Sequence, residues 1–325
     1  MGSSRTRLTF LALACAAVLG GAAGTVYLNA HASTPAVSSP SSTPASASAT
    51  TSAPSSSAPA GGEASVEPSA EPSVDRDALL AKAVAAVPRA DDTEVAVSVL
   101  DTETGQQAAY GDGAFATASI VKVDILATLL LQAQEAGRRL TATERTYATA
   151  MIENSDNAST TALWRVIGRA EGLDAANERF GLTETEGGDG ELWGLTRTTA
   201  ADQIALLRQV FEEEGSELST ASRAYVQGLM GRIADGQDWG VSAAGSSSAL
   251  KNGWLPRSTT GLWVINSIGR VVSGGHAYLV AALSQGNATQ AAGISLVEAM
   301  AKAAVSVCGE SGETGAAAAG AQSSS

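Results

Sequence analysis

A serine and a lysine that could act as a nucleophile and its base lie three residues apart in the sequence. Ser119 and Lys122 belong to the stretch ASIVKVDIL, whose other side chains are mostly apolar. Residues three apart share one face of a helix, burial disfavours the charged form of a lysine, and a neutral amine can take a proton from a neighbouring hydroxyl. The pair therefore predicts nucleophilic catalysis. The simpler interpretation is a helix-capping serine beside a lysine that extends to solvent.

The chain offers no histidine that suits a serine–histidine–aspartate triad. Its two histidines are His31, in the N-terminal region, and His276, which directly follows a Ser-Gly-Gly turn. A position after a turn favours the rim or the surface of the protein. If Ser119 is a nucleophile, Lys122 is therefore the candidate base.

Two further polar motifs follow along the chain. Ser155-Asp156-Asn157 lies between two helical patterns, where Asp156 or Asn157 could simply cap a helix. Lys251-Asn252-Gly253-Trp254 lies in a strand-like run, where the glycine could mark a bulge or a close approach of two backbones. Each motif alone has an ordinary structural explanation.

The three motifs in this order resemble those of the penicillin-recognising serine hydrolases. These are the class A β-lactamases and their D-alanyl-D-alanine peptidase relatives, which carry Ser-x-x-Lys, Ser-Asp-Asn and Lys-Thr-Gly. The resemblance covers about residues 75–305 and includes the order of helices and strands. It implies a serine hydrolase that forms an acyl-enzyme with β-lactams or D-Ala-D-Ala-type peptides.

The resemblance also implies a role for each matching residue. Ser119 would attack the acyl carbon, and Lys122 would activate it or relay its proton. Ser155 would pass a proton to the leaving nitrogen, and Asn157 would bind the side-chain amide of the substrate. Lys251 would attract the substrate carboxylate and tune Ser155.

The third motif departs from the family pattern because it reads Lys-Asn-Gly. Asn252 can still donate a hydrogen bond to a substrate carboxylate, but it is bulkier than threonine. With Gly253 and Trp254 it would line the substrate site. The backbone N–H groups of Ser119 and Trp254 would form the oxyanion hole, whose donors contribute about 2.7–4 kcal/mol each to the transition state.

The departure with the largest consequence concerns hydrolysis of the acyl-enzyme. Class A enzymes activate the hydrolytic water with a glutamate on a loop after Ser-Asp-Asn, and the corresponding stretch here is GLTETEGGDGELWGLTRTTAAD. Glu184, Glu186 and Glu191 are the candidates, with Glu191 favoured, although all three also fit solvated loop charges. Without such a base the adduct would hydrolyse slowly, which points to a peptidase-like or drug-trapping protein.

The pattern of elements predicts an α+β fold. A helix and two strands precede residue 112, helical patterns run from 119 to 232, and three strand-like runs and a helix at about 288–305 close the chain. We expect a five-stranded antiparallel sheet flanked by N- and C-terminal helices, with an inserted all-α lobe. A cleft between the sheet and the lobe is a natural ligand site.

The N-terminal segment, residues 1–32, has the features of an export signal. Arg5 and Arg7 precede an apolar run from Leu8 to Leu28, which is followed by Ala30-His31-Ala32, an A-x-A cleavage pattern. An uncleaved membrane anchor is the alternative, because the run is about long enough to cross a bilayer. Both versions predict an extracytoplasmic protein of the cell envelope, secreted or tethered to the membrane.

The amino-acid composition predicts the remaining domain boundaries. Residues 33–74 are rich in Ser, Ala, Pro and Thr and predict a disordered linker. Residues 75–308 form the predicted β-lactamase-like domain, and residues 309–325 a disordered tail.

The charge and the cysteine content exclude other functions. The net charge is −13, which disfavours binding to a nucleic-acid backbone. Cys15 and Cys308 are the only cysteines, and they form no Cys/His cluster. We therefore expect no metal and no cofactor. The expected partner is a small-molecule β-lactam or a cell-wall peptide, and the expected state is a monomer.

Two other functions stay open. Asn252 and the missing glutamate would also suit a catalytically impaired, wall-associated binding module of the same fold. An esterase could use the same serine and lysine.

Overall fold

The structure is a computed structural model that describes residues 74–309. Apart from residues 74 and 309, the predicted signal or anchor (1–32), linker (33–74) and tail (309–325) lie outside the described residues. These assignments stay predictions.

The helices and strands of the described chain form three successive blocks: a helix followed by strands, a mainly helical block, and strands followed by a helix. In chain order they are α1 (Arg76–Ala85), β1 (Glu94–Asp101), β2 (Gln107–Tyr110), β3 (Phe115–Ala116), α2 (Val121–Glu135), α3 (Ala142–Glu153), α4 (Asn157–Val166), α5 (Arg169–Phe180), β4 (Arg197–Thr198), α6 (Ala200–Phe211), α7 (Thr220–Met230), β5 (Ser247–Pro256), β6 (Trp263–Ser273), β7 (His276–Asn287) and α8 (Gln290–Gly309). Two short 3₁₀ turns matter for the site. We call Ala118–Ile120 the serine turn and Trp193–Leu195 the tryptophan turn.

A five-stranded antiparallel sheet joins the two ends of the described chain. Its strand order is β2-β1-β7-β6-β5, so strands that are far apart in sequence are neighbours in the sheet. The predicted sheet and α+β class are confirmed. Helices α2 to α7 come between β2 and β5 in the chain, as the inserted helical block requires.

The two faces of the sheet carry two separate cores. Helices α1 and α8 cover one face, where Leu80, Val97 and Val297 are fully buried. Helix α8 is long and apolar enough to span a membrane, and here it packs on the sheet as a core helix. Helices α2 and α6 lie toward the other face, in a core that includes Leu126 and Leu206.

Helix α2 is buried along its length, as its nearly continuous apolar pattern predicts. Every residue from Val121 to Leu131 is buried, including the two ionisable residues Lys122 and Asp124. The apolar residues of α2 all belong to the core on the α6 side of the sheet, and the side chains of Lys122 and Asp124 are enclosed with them. The lysine therefore does not extend to water.

The start of α2 differs from the prediction of a helix from residue 119. The α-helix begins at Val121, and Ser119 lies in the preceding serine turn, whose N-cap is Thr117. A short two-stranded pair that the sequence did not predict, β3 with β4, flanks this turn. The Thr117 N–H also donates to the Thr196 carbonyl, at 2.8 Å, so the serine turn is tied to the loop before α6.

Asp124 is the buried acid of α2. The amide of Asn177, in the orientation that presents its N–H groups, lies 3.0 and 3.2 Å from the two carboxyl oxygens. Burial raises the pKa of Asp124 to about 8, and the nearby Asp174 and Asp202 carboxylates raise it further against the effect of the Asn177 hydrogen bond. The native state therefore favours the protonated carboxyl.

We predict that Asp124→Asn flattens the pH dependence of stability. With a folded pKa near 8 and an ordinary pKa near 3.8, the unfolded chain releases this proton first. The wild-type free energy of unfolding should therefore fall as pH rises from about 4 to 8. The variant has no carboxyl at this position and so does not lose stability in this way. The difference in free energy of unfolding between variant and wild type should therefore grow in favour of the variant from about pH 4 to 8, by an amount on the order of a few kcal/mol.

Urea denaturation at fixed pH values measures this, with the exposed Asp91→Asn as the matched control. If the free energies of unfolding of wild type and Asp124→Asn changed in parallel between pH 4 and 8, the prediction would be contradicted.

Candidate active site

Ser119 lies half-buried at the end of a strained backbone segment. The residue before it, Ala118, has a φ of 48°, a left-handed conformation that is uncommon for residues with a side chain. Such strain persists only where surrounding contacts impose it, and it concentrates at functional sites. The serine turn is therefore a held conformation rather than the relaxed start of a helix.

Asn266 on β6 is the residue that holds this turn from the sheet. Its fully buried side chain donates to the carbonyls of Ala116, at 2.9 Å, and Thr117, at 3.0 Å, and accepts from the Ser284 N–H at 3.2 Å. Sequence reasoning missed Asn266. The available signal was a single amide side chain in the mostly apolar strand segment WVINSIGRVV.

Lys122 reaches from α2 to the loop between α3 and α4. Its buried amine donates to the Ser155 carbonyl at 2.7 Å, to the Ser155 hydroxyl at 2.9 Å and to the Asn157 side-chain oxygen at 2.9 Å. Among the hydrogen bonds of the described residues, 74–309, none joins Lys122 to Ser119. The structure thus brings Lys122, Ser155 and Asn157 together, with Ser119 one helical turn away.

Ser155 is held in place by the backbone of its loop. Its φ is 57°, again left-handed, and the next residue, Asp156, caps α4 by accepting from the Ser159 N–H at 2.7 Å. The hydroxyl of Ser155 therefore points back toward Lys122 instead of capping the helix itself. The capping explanation holds for Asp156 and leaves the serine free for other contacts.

Lys251 approaches the same hydroxyl from β5. Its amine, fully buried, donates to the Ser155 hydroxyl at 3.1 Å and to the Asn252 carbonyl at 2.9 Å. One serine hydroxyl thus lies between two lysine amines that come from a helix and a strand 129 residues apart in the numbering. We call Lys122, Ser155 and Lys251 the amine–hydroxyl cluster.

The two amines cannot both keep a full charge at neutral pH. Burial lowers the pKa of Lys122 to about 7, against the opposing charge of Asp156. Burial, and then the charge of Lys122, hold the pKa of Lys251 well below its ordinary value. At neutral pH a substantial fraction of Lys122 is therefore uncharged. The charged form donates all three hydrogen bonds, whereas the uncharged form has two N–H groups and a lone pair that can accept a proton.

Strand β5 touches the serine turn through Gly253. A Cβ at this position would lie 2.7 Å from both the Ser119 nitrogen and the Thr117 oxygen, closer than real Cβ atoms approach. Only glycine lets the two backbones run this close. The neighbouring Trp254 is half-buried, with its ring 6.0 Å from that of Trp239.

Asn252 makes different contacts from those expected. Its amide group donates to the Gln237 carbonyl at 2.7 Å and to the Trp239 carbonyl at 2.8 Å, while its side-chain oxygen is buried without a partner. Because both amide hydrogens are engaged, neither is free for a substrate carboxylate. Asn252 holds the loop before β5 instead.

Glu191 is not brought together with the amine–hydroxyl cluster. Its exposed carboxylate pairs with Arg165 and Arg169, each at 3.0 Å, and these hydrogen bonds, that of Arg165 first, lower its pKa. Glu184 and Glu186 are exposed as well. The alternative explanation, solvated loop charges, thus describes all three, and we assign none of them to water activation.

No carboxylate within residues 74–309 hydrogen-bonds to Ser119, Lys122 or Ser155. His276 lies beside Asp101 and Glu103, 3.4 and 3.6 Å away, with a partly exposed ring. In the same part of the chain, no group of three or more His, Cys, Asp or Glu residues is arranged to hold a metal ion.

Trp193 is the second residue that sequence reasoning missed. Its ring centroid lies 5.1 Å from the Lys122 amine, in the loop where the glutamate was sought. The only signal in the sequence was a tryptophan within a polar, Gly-rich stretch.

Comparisons with known proteins agree with the fold. The model of the Beta-lactamase enzyme family matches residues 136–308, a range that includes Ser155 and Lys251 and begins after Lys122. No curated protein matches the chain.

The similar solved structures share the fold at low sequence identity. PBP-A is 19% identical, with 72% of this chain and 96% of that chain covered and a TM-score of 0.62. A PBP-A mutant, solved as an acyl-enzyme complex with penicillin G, is 19% identical, with coverages of 72% and 97% and a TM-score of 0.61. A class A β-lactamase from Bacteroides cellulosilyticus is 14% identical, with coverages of 73% and 100% and a TM-score of 0.63. The predicted β-lactamase/transpeptidase-like fold is confirmed.

We predict that Gly253→Ala lowers the free energy of unfolding by about 1–3 kcal/mol, the usual cost of overpacking, because the new methyl group collides with backbone atoms of the serine turn. Gly228→Ala in α7 is the matched control, since a Cβ there makes only an ordinary contact and alanine favours a helix. Chemical denaturation compares the two. A Gly253→Ala protein as stable as wild type would show that the close approach is absent.

Proposed function

The chain belongs to the β-lactamase enzyme family, and we propose that it is a serine hydrolase that forms an acyl-enzyme through Ser119. The proposed substrates are β-lactams or D-Ala-D-Ala-type peptides. The observation that carries the proposal is the amine–hydroxyl cluster beside the serine turn: Lys122 and Lys251 both bind the hydroxyl of Ser155. A capping serine and a solvent-facing lysine would not produce this buried arrangement.

The acylation step follows from these contacts. The uncharged Lys122 accepts the Ser119 proton while the serine oxygen bonds to the carbonyl carbon of the substrate. The carbon–nitrogen bond then breaks, and Ser155 gives its proton to the leaving nitrogen. Lys122 restores that proton across the 2.9 Å contact with Ser155. Catalytic hydrogen bonds often form only when substrate binds. The absence of a hydrogen bond between Ser119 and Lys122 is therefore compatible with this order of steps.

Substrate binding would use the groups around this step. Asn157 offers a side-chain amide at the edge of the cluster. An anionic substrate would favour the protonated form of Lys251 and so be attracted to it. Gly253 aligns β5 with the serine turn, so the N–H groups of Ser119 and Trp254 are the proposed oxyanion donors. Asn252 has no proposed contact with the substrate.

Hydrolysis of the adduct is proposed to be slow. No carboxylate in the described chain hydrogen-bonds to Ser119, Lys122 or Ser155, and the Asp156 carboxylate, whose charge acts on Lys122, is engaged as the cap of α4. We therefore assign no acidic side chain to take the proton of a water molecule there. The PBP-A mutant solved as an acyl-enzyme with penicillin G shows that a protein of this fold can hold such an adduct. We therefore favour a peptidase-like or drug-trapping protein over a fast β-lactamase.

The proposed place of action is the cell envelope, outside the cytoplasm. The export-signal pattern of residues 1–32 and the Ser/Ala/Pro/Thr-rich residues 33–74 support it. A linker of this composition would let a monomeric domain reach cell-wall peptides from a membrane tether.

A catalytically impaired binding module is the second candidate. The engagement of Asn252 with the loop before β5 favours it, because this removes a donor that the family pattern would give to the substrate. Such a protein would bind peptidoglycan fragments without forming a covalent adduct.

We predict that fluorescent penicillin labels the protein and that Ser119→Ala abolishes the label. Intact-mass measurement with benzylpenicillin should show one added drug mass that persists while nitrocefin turnover stays slow. The exposed Ser246→Ala is the matched control and should label like wild type. Peptidoglycan binding that survives Ser119→Ala, without any β-lactam adduct on wild type, would instead establish the binding module.

We predict that the acylation rate rises with pH through about 7 and then levels off. The base is the uncharged form of Lys122, whose pKa burial lowers to about 7. Lys122→Arg keeps a cation but supplies no base, so its rate should fall by about 10²–10⁴-fold, whereas the exposed Lys82→Arg should keep the wild-type profile. A flat wild-type profile between pH 5.5 and 9, sampled at roughly half-unit steps across the titration of Lys122, would contradict the assignment.

A further inference from the structure

We propose that Trp193 keeps water away from the acyl-enzyme and so lengthens its lifetime. The inference rests on the proposed function, since it needs an adduct on Ser119. It assigns a role to the tryptophan turn, which occupies the loop where related enzymes are expected to carry a water-activating glutamate. Trp193 acts here as a positioning and shielding residue, not as a proton donor or acceptor.

The tryptophan turn lies directly against the serine turn. A Cβ on Gly194 would lie 3.9 Å from the Cα of Ala118, and the Thr196 carbonyl accepts from the Thr117 N–H at 2.8 Å. The pair of β3 and β4 continues this attachment. The loop therefore forms one wall of the space beside Ser119.

The Trp193 ring is fixed toward the amine–hydroxyl cluster. Its indole N–H donates to the Thr161 hydroxyl at 3.1 Å, and its centroid lies 5.1 Å from the Lys122 amine. The ring is half-buried and packs on the helical core. One edge is therefore anchored on α4 while the face covers the lysine, in the range for a cation–π contact.

Contacts on both sides hold the rest of the loop. The Trp164 indole N–H donates to the Gly190 carbonyl at 2.7 Å, and Glu191 is clamped by Arg165 and Arg169. The Glu191 carboxylate is thereby turned outward, two residues before the ring that faces the cluster. The same loop thus presents an aromatic face inward and its charge to solvent.

This arrangement bears on the second half of the reaction. In deacylation the oxygen of a water molecule bonds to the acyl carbon, the bond from that carbon to the Ser119 oxygen breaks, and one water proton ends on that serine oxygen. The water must reach the ester and lose a proton there. An apolar ring at this wall offers it neither room nor a proton acceptor.

The test measures how fast the penicillin adduct is lost, after excess drug is removed, by intact mass over time on the whole protein. Trp193→Ala opens the wall and should shorten the adduct lifetime by about tenfold or more, with adduct formation retained. Trp193→Phe keeps a ring and should stay within about twofold of wild type. Leu192→Ala removes the exposed neighbouring side chain and should leave the lifetime unchanged.

Thr161→Val gives a second, milder variant in case Trp193→Ala fails to fold. It removes the acceptor of the indole N–H and should shorten the lifetime by a smaller factor. An unchanged or longer lifetime in folded Trp193→Ala, or in folded Thr161→Val when the alanine variant does not fold, would overturn the shielding role. Absence of any adduct on wild type would overturn the proposed function itself and the inference with it.

Discussion

The burial of two lysine amines around one serine hydroxyl is the constraint on which the rest of this structure depends. Lys122 and Lys251 are fully buried and share Ser155. Removing charged amines from water costs free energy, and two adjacent positive charges add to that cost. The fold meets the constraint with polar partners and with lowered pKa values rather than with a buried counter-ion, and the resulting uncharged amine is what the proposed chemistry uses.

Several backbone features exist to keep that arrangement in place. Ala118 and Ser155 both adopt left-handed conformations, which cost about 1–3 kcal/mol each in residues with a side chain. Asn266 holds the first segment from the sheet, and Asp156 caps the helix that follows the second. Gly253 then lets β5 approach the serine turn. Sheet, helical lobe and loop thus each contribute one wall of the site.

The sequence predicted those parts of the site that local patterns encode. Helix α2 followed from its apolar run, and the spacing of Ser119 and Lys122 placed them one turn apart. Asn266 and Trp193 escaped prediction because their partners lie far away in the chain, about 150 and 70 residues respectively. Asn252 and Glu191 escaped prediction although their partners lie only 13–26 residues away, because the pair of carbonyls bound by Asn252 and the pair of arginines bound by Glu191 come near them only in the folded chain.

Direct titration of the lysine amines tests the central claim. The chain contains only four lysines, and Lys82 and Lys302 are exposed, so lysine-selective ¹³C labelling would give four side-chain signals with two exposed references. Lys122→Arg assigns the signal of interest. The account predicts a midpoint for Lys122 near pH 7, and a midpoint near its ordinary 10.5 would contradict it.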